Sequence, residues 1–283
     1  MKRFSAWGPW AYALAVEKNI AQRKLADAFS GETFAETRQE EPLPFAVCRH
    51  NSLIRRTLGQ VDPRLQDNKA VSLGLAAPRV NGVLIRPGET FSFWHLVGRC
   101  TRKKGYLPGM VLHDGQPAQG VGGGMCQFTN LIHWMVLHSD LTITERHHHD
   151  GMDLFPDFGR QVPFGVGTSI LYNYLDYRVK NQTEETFQLL TRSDGEYLRG
   201  ELRCSALPDH VWHVSCEEEY FSREADGWYR NNRVYRRRVD RRTGQITEKT
   251  LLQQAHAKVM YDEGYIDRNK IQNGDKAGEE TGK

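Results

Sequence analysis

Residues 120–130, GVGGGMCQFTN, set three consecutive glycines almost directly before a cysteine, and a helical pattern starts where the glycines end. Between Met125 and His138, the residues Phe128, Leu131, Ile132, Met135 and Val136 fall at i, i+3, i+4, i+7 and i+8, the spacing of one buried helical face. Cys126, Thr129, Asn130 and His133 share the opposite, more polar face. Any fold of this chain must therefore bury a helix whose first turn carries a thiol and whose approach is a tight glycine loop. A helix start supplies unpaired N–H groups and the positive end of the dipole. A thiol there is expected to have a lowered pKa and an enlarged thiolate fraction. The glycines let the loop fold tightly and let a ligand approach backbone N–H groups able to hold an oxyanion. The plainer reading is a buried cysteine following a glycine turn.

A nucleophilic thiol needs a base. His133 shares the face of Cys126 but lies about 10 Å along the axis, at a rise of roughly 1.5 Å per residue. The segment LTITERHHHD at 141–150 is better placed, because it follows the helix after a short turn and would run back beside it as a strand. Strand alternation puts Leu141, Ile143, Glu145, His147 and His149 on one face. With Leu141 and Ile143 docked on the helix, His147 or His149 is directed towards the cysteine end, the pairing that nucleophilic catalysis requires. The same side chains permit a zinc site of Cys126, His147 and His149 with an open fourth position. A solvated polar run of histidines is the third reading, and the residues alone leave all three open.

Composition narrows the setting. The chain has 283 residues, is 39% hydrophobic and 26% charged, and carries a formal charge of +3, too little to imply a nucleic-acid partner. Cys48, Cys100, Cys126, Cys204 and Cys216 are odd in number and contain no CxxC pair, which fits a reducing, cytoplasmic setting with at least one free thiol. No segment approaches the ~18 apolar residues of a membrane span. The start, MKRFSAWGPWAYALAV, contains Pro9 and two tryptophans and passes into a charged amphipathic pattern, so it reads as an arm rather than a signal peptide. Contact of that arm with a membrane surface stays open.

Residues 10–29 predict a helix, FAVCRHNSLI a strand, and DNKAVSLGLAAPRVNG a short helix capped near Asp67 or Asn68. VLI and TFSFW flank a Pro-Gly turn, and MVLHDGQPA enters an Asp-Gly turn. Beyond the cysteine helix, LTITERHHH, TSILYNYLDYRVKN, TFQLLTRSDGEYLRGEL, VWHVSCEEEYF and WYRNNRVYRRRVD read as strands, with hairpins at SDGE and RTGQ. The fold class expected is α+β: a central cysteine-bearing helix packed on mostly antiparallel strands. The organisation expected is an N-terminal helical arm at 1–40, a core domain at 41–205, a β-rich C-terminal extension at 206–265 and a disordered tail at 266–283. The six arginines of RVYRRRVDRR could bind an anion, but the acidic EEEYF before them favours charge pairing across a solvated sheet face.

VNGVLIRPGETFSFWHLVG, GGGMCQFTNLIHWMVLHSDLTITERHHH and LDYRVKNQTEETF occur in this order within residues 43–205. This combination resembles the VanW family, associated with vancomycin resistance. The resemblance implies a role in cell-envelope or peptidoglycan-precursor metabolism; it implies no established reaction. It marks Glu89, Gly122, Gly123, Gly124, Cys126, Gln127, Glu145, Arg146 and His149 as the matching positions. Many relatives carry an aspartate where this chain has Gly167, which leaves the third member of any triad either vacant or moved to Asp153, Asp157 or Asp176. Two functions are carried forward. In the first, Cys126 is the nucleophile and His149 the general base of an acyl transferase or hydrolase acting on a peptide-type bond, with Gln127 assisting and no cofactor required. In the second, the Gly-rich cleft binds a peptidoglycan-related or other cell-envelope small molecule without catalysis. Whether the protein is an enzyme stays open.

Overall fold

The computed structural model describes residues 8–56, 62–113, 116–148, 151–157, 160–172 and 175–272. The arm is helix α1 (Pro9–Phe29), followed by the short strand β1 (Thr33–Phe34) and the long strand β2 (Phe45–Leu53). Helix α2 (Pro63–Val80) begins before the expected DNKAVS segment. Asp62 caps it by accepting from Arg64 N–H, Pro63 occupies the first turn, and Pro78 sits inside the last turn rather than ending the helix. Strands β3 (Val83–Ile85) and β4 (Glu89–Ser92) flank the Pro-Gly turn, and Ser92 caps the short helix α3 (Phe93–Val97). The hairpin β5 (Pro108–His113) and β6 (Gln116–Val121) then leads into α4 (Met125–Val136), the cysteine helix. The Asp-Gly turn expected inside that hairpin lies outside the described residues.

After α4 come β7 (Thr142–Glu145), β8 (Met152–Asp153), β9 (Arg178–Lys180), β10 (Phe187–Ser193) and β11 (Tyr197–Cys204). The C-terminal part is β12 (His210–Glu224), β13 (Gly227–Asp240), β14 (Ile246–Val259) and β15 (Ile271–Gln272). The sheets have the orders β1-β4-β9-β7, β2-β11-β10-β3 and β15-β12-β13-β14-β8, with β5-β6 as a separate ribbon. The α+β class and the cysteine helix packed on largely antiparallel strands are therefore as the patterning predicts. The segment TSILYNYLDYRVKN is not one strand: among its described residues only Arg178–Lys180 forms a named strand, and Leu171 and Leu175 make an isolated bridge. Asp176 diverts the backbone there, accepting from the N–H of Trp94 at 3.0 Å and of Tyr177 at 2.8 Å and from Ser92 Oγ at 2.5 Å.

Phe128, Leu131, Ile132, Met135 and Val136 are all buried, together with Leu73, Phe91, Phe93, Tyr177 and Leu189 in one continuous core. The polar face of α4 is covered too. Thr129 and His133 are buried, the first against Thr168 Oγ1 at 2.6 Å and the second against Tyr177 Oη at 3.0 Å. Gly200 of β11 explains how the helix sits so close to its sheet: a Cβ there would lie 2.7 Å from Met135 Cε and 2.8 Å from Leu131 Cδ2.

Charge pairing attaches the peripheral elements. Arg178 grips both carboxylate oxygens of Asp27 at 2.7 and 2.8 Å, and Arg23 pairs with Glu145, so α1 is clasped to β7 and β9 by bidentate contacts. On the C-terminal sheet the arginine run is consumed as the acidic neighbour predicts: Arg233 meets Glu218 at 2.8 Å and Arg237 pairs with Glu217. Arg236 lies 3.4 Å over the Trp212 ring. Arg230, only 2% exposed, is ringed by Asp153, Asp157 and Glu219. Of the tail expected at 266–283, the described residues 266–272 are ordered, and the rest lies outside the described residues. Ile266 is buried, Lys270 pairs with Glu219, and Ile271–Gln272 pairs in parallel with Phe221–Ser222.

Replacing Arg230 by Met should therefore strand the carboxylate of Asp153, itself 2% exposed, and destabilise the fold by about 3–5 kcal/mol in urea unfolding. Adding Asp153→Asn should recover part of that loss, because it removes the stranded charge.

Candidate functional site

The triglycine is built for close approach. Gly122 and Gly124 have φ of 83° and 102°, left-handed conformations that favour glycine. Gly123 has no positive φ, and its requirement is steric: a Cβ would lie 2.4 Å from the Gly109 carbonyl carbon and 2.5 Å from Gly109 Cα. The loop thus lies flat against the backbone of β5. Gly124 then serves as the N-cap of α4, and its carbonyl accepts from the N–H of Gln127 at 2.9 Å and of Phe128 at 3.3 Å. Cys126 consequently occupies the first helical turn, as the periodicity predicts.

Above this loop opens a cleft of about 1320 Å³, lying between the core and β14 of the C-terminal sheet. Gly122, Gly123, Gly124, Cys126, Gln127, Asn130 and Gly167 line it, together with Trp94, Tyr172 and Phe164. Its far wall is formed by residues of 151–156 and 160–170, held by Asn130 Oδ1, which accepts from Thr168 N–H at 2.6 Å and Thr168 Oγ1 at 2.8 Å. Among the described lining residues Asp153 is the sole carboxylate, whereas Arg56, Lys69, Arg99 and Arg160 all line the cleft.

Cys126 is half-buried, and burial raises its thiol pKa above the ordinary value, opposed by the N–H groups of Ile170 and of Cys126 itself. The thiolate expected at a helix start is thus not favoured: removal from water outweighs the helix end. Burial likewise raises Cys48 and Cys100, each to about 11. Burial also drives His133 well below its ordinary value, and its Nε2 has no hydrogen-bond partner among the described residues.

The remaining expected site residues divide. His149 lies outside the described residues. His148 lines the cleft, whereas His147 Nε2 sits 3.0 Å from Glu145 Oε1 in the ion-pair network of the arm. Among the described residues no three His, Cys, Asp or Glu side chains converge as a metal-ligand set. Gln127 lines the cleft, but its amide nitrogen is a latch, donating to Ser52 Oγ and Leu53 O at 2.8 Å each. Glu89 closes its own turn by accepting from Arg86 N–H at 2.8 Å. Glu145 accepts from Asp176 N–H at 2.8 Å, and Arg146 holds the carbonyls of Gly165 and Gly167. None of these last three is among the residues lining the cleft. Asp153 and Asp157 serve Arg230, and Asp176 serves the α3 cap and Arg178. All three candidate aspartates are thus committed elsewhere.

Sequence reasoning missed Lys69 and Arg56. The signal for Lys69 was present: Leu65, Ala70 and Leu73 mark the buried face of α2, and a lysine four residues from both leucines falls on it.

Two outcomes follow from this geometry. Gly123→Ala should lower the melting temperature by several degrees, since the new methyl meets backbone rather than a mobile side chain, at a cost of about 1–3 kcal/mol. Cys126 should react slowly with iodoacetamide at neutral pH, and mass spectrometry should show its labelling rate still climbing above pH 9, as for a thiol with a raised pKa.

Residues 68–203 match the family described as VanW like protein. The chain is 33% identical over 245 residues to the vancomycin B-type resistance protein VanW of Enterococcus faecalis (strain ATCC 700802 / V583), covering 85% of this chain and 89% of that protein. It is 28% identical over 131 residues to the uncharacterized protein YoaR of Bacillus subtilis (strain 168), covering 45% of this chain and 40% of that protein. No solved structure gives a significant match. The identity spans nearly the whole of both chains in the first comparison and takes in the glycine loop, the cysteine helix and the strands that seat it: the chain belongs to the VanW family.

Proposed function

We propose that this protein serves vancomycin resistance by binding a peptidoglycan-related or other cell-envelope small molecule in the cleft above the glycine loop. The observation that supports this reading is the cleft itself. At about 1320 Å³ it exceeds the roughly 300–1,000 Å³ typical of small-molecule sites, and it combines aromatic walls with convergent polar groups. Binding without covalent chemistry is favoured because burial raises the Cys126 thiol pKa and so disfavours the thiolate. The five cysteines are all free, which fits action in the cytoplasm. No helix among the described residues is long and apolar enough to cross a membrane.

The catalytic reading keeps one specific support. The Ile170 N–H faces the Cys126 sulfur at the amino end of α4, where an acyl-enzyme oxyanion would need donors. In that reading Cys126 attacks a peptide-type carbonyl and His149 takes the thiol proton.

Gly167 allows a direct test. Its φ is not in the left-handed region, and an added Cβ would meet only Asn130 Oδ1, at 3.8 Å. Gly167→Phe should therefore fill the cleft and leave the melting temperature nearly unchanged. Calorimetric titration with soluble muropeptides should show binding to the wild type, a loss of at least tenfold in Gly167→Phe, and unaltered binding in Cys126→Ser. A Cys126→Ser protein that binds normally but loses the cellular resistance phenotype would return the assignment to catalysis.

A further inference from the structure

Lys69 is placed where a lysine is hard to justify structurally. Its stem leaves the buried face of α2 and runs beside the glycine loop: a Cβ on Gly124 would lie 2.4 Å from Lys69 Cγ and 3.1 Å from Cδ. The absence of a side chain at 124 therefore makes room for Lys69 to pass along the amino end of α4 into the cleft. Among the described residues its ammonium has no hydrogen bond and no carboxylate partner, and the charges acting on it are those of Arg56 and Arg55. Burial, followed by these two cations, lowers its pKa to about 8.

Arg55 is satisfied by Asp67 at 2.7 Å, but Arg56 is not comparably paired. Its guanidinium donates from Nε to Leu53 O at 3.3 Å, forms no ion pair among the described residues, and lines the same cleft. The Gln127 latch onto Ser52 and Leu53 holds this end of β2 against α4 and so keeps Arg56 near Lys69. The single carboxylate among the described lining residues, Asp153, is already bound to Arg230 and Tyr261. Half-buried cations held together without an anion oppose folding unless something else binds them.

We propose that Lys69 and Arg56, meeting over the amino end of α4, form the subsite for an anionic group of the cleft's ligand, a carboxylate or a phosphate. The inference rests on the cleft being the binding site and names the chemistry of what enters it. The two cations supply a point charge and a planar fork, and the Lys69 stem runs past Gly124, the N-cap of α4. Gly124 belongs to the subsite because any side chain there would displace the lysine stem.

The test uses the full chain at fixed ionic strength, with inorganic pyrophosphate, N-acetyl-alanyl-alanine and the C-terminal amide of that dipeptide as probes. Pyrophosphate or the free acid should raise the melting temperature of the wild type, and the amide should not. Stabilisation by pyrophosphate alone identifies a phosphate source, and stabilisation by the acid alone a carboxylate. Lys69→Met should melt at or above the wild type in anion-free buffer at pH 7, because the isosteric apolar stem removes an uncompensated charge. Lys69→Met and Arg56→Gln should each lose the anion-dependent shift. Equal shifts in wild type and both variants would overturn the subsite, as would the absence of any shift in the wild type. A Lys69→Met protein that melts well below the wild type would overturn it too, by showing a structural partner. Muropeptide binding that is blocked by Gly167→Phe yet unaffected by Lys69→Met would sink the subsite and leave the cleft standing. Absence of muropeptide binding to the wild type, with the anion shifts intact, would sink the cleft's proposed ligand instead.

Discussion

Everything at the centre of this molecule depends on how closely helix α4 is allowed to approach its neighbours. On its flank the helix presses Leu131 and Met135 against β11 at Gly200, where no side chain would fit. At its entrance Gly123 lies against Gly109 of β5, backbone on backbone. These two glycine contacts seat the helix without a gap and fix the position of its first turn. Core packing tolerates changes of volume poorly, so such contacts act as stops rather than cushions. The cleft exists because the seat is rigid: its floor is the same glycine loop, and its far wall is pinned to α4 through Asn130 and Thr129.

Around this seat, charge is distributed unevenly. The arm, the C-terminal sheet and the 151–157 segment are attached by cations whose partners are close, as at Arg178 with Asp27 and Arg230 with Asp153, Asp157 and Glu219. The most arginine-rich stretch of the chain is therefore spent on cohesion. At the cleft the balance reverses: among the described residues Lys69 and Arg56 have no ion-pair partner, and Asp157, which acts on Arg56 from a distance, is already bound to Arg230 and Arg160. A charge cluster in the sequence is thus a poor guide to a binding surface, because strand register decides whether each charge finds its complement. The β12–β13 register sets Glu217 opposite Arg233, and from there the charges meet as Glu218 with Arg233 and Glu217 with Arg237.

Cys126 shows how two physical effects at one position compete. Its place in the first turn of α4 favours the anion, and its partial burial between the loop and Ile170 favours the neutral thiol. Burial wins because water is a better solvent for a thiolate than two N–H groups are. The family's conspicuous residues mostly turn out to hold backbone. Gln127 latches β2, Glu89 closes a turn, and Arg146 ties the carbonyls of Gly165 and Gly167. Arg146 thus holds the cleft wall from behind, Gln127 lines the cleft itself, and Glu89 only closes its own turn.

The sequence by itself determined the elements whose information is local. The apolar spacing from Phe128 to Val136 specified α4 and its buried face, and the glycines before it specified where the helix starts. SDGE specified the β10–β11 hairpin, and the acidic run before RVYRRRVD foretold the charge pairing of β12 with β13. Helical and strand periodicities are properties of neighbouring residues, so they can be read without knowing the fold. Tertiary structure alone decided the rest. That α2 delivers Lys69 to the glycine loop depends on a contact between residues 69 and 124. That Asp176 breaks a strand depends on its reaching the cap of α3. The protonation of Cys126 and the isolation of Lys69 are likewise set by which groups, distant in sequence, share the same low-dielectric space, and no window of neighbouring residues contains that information.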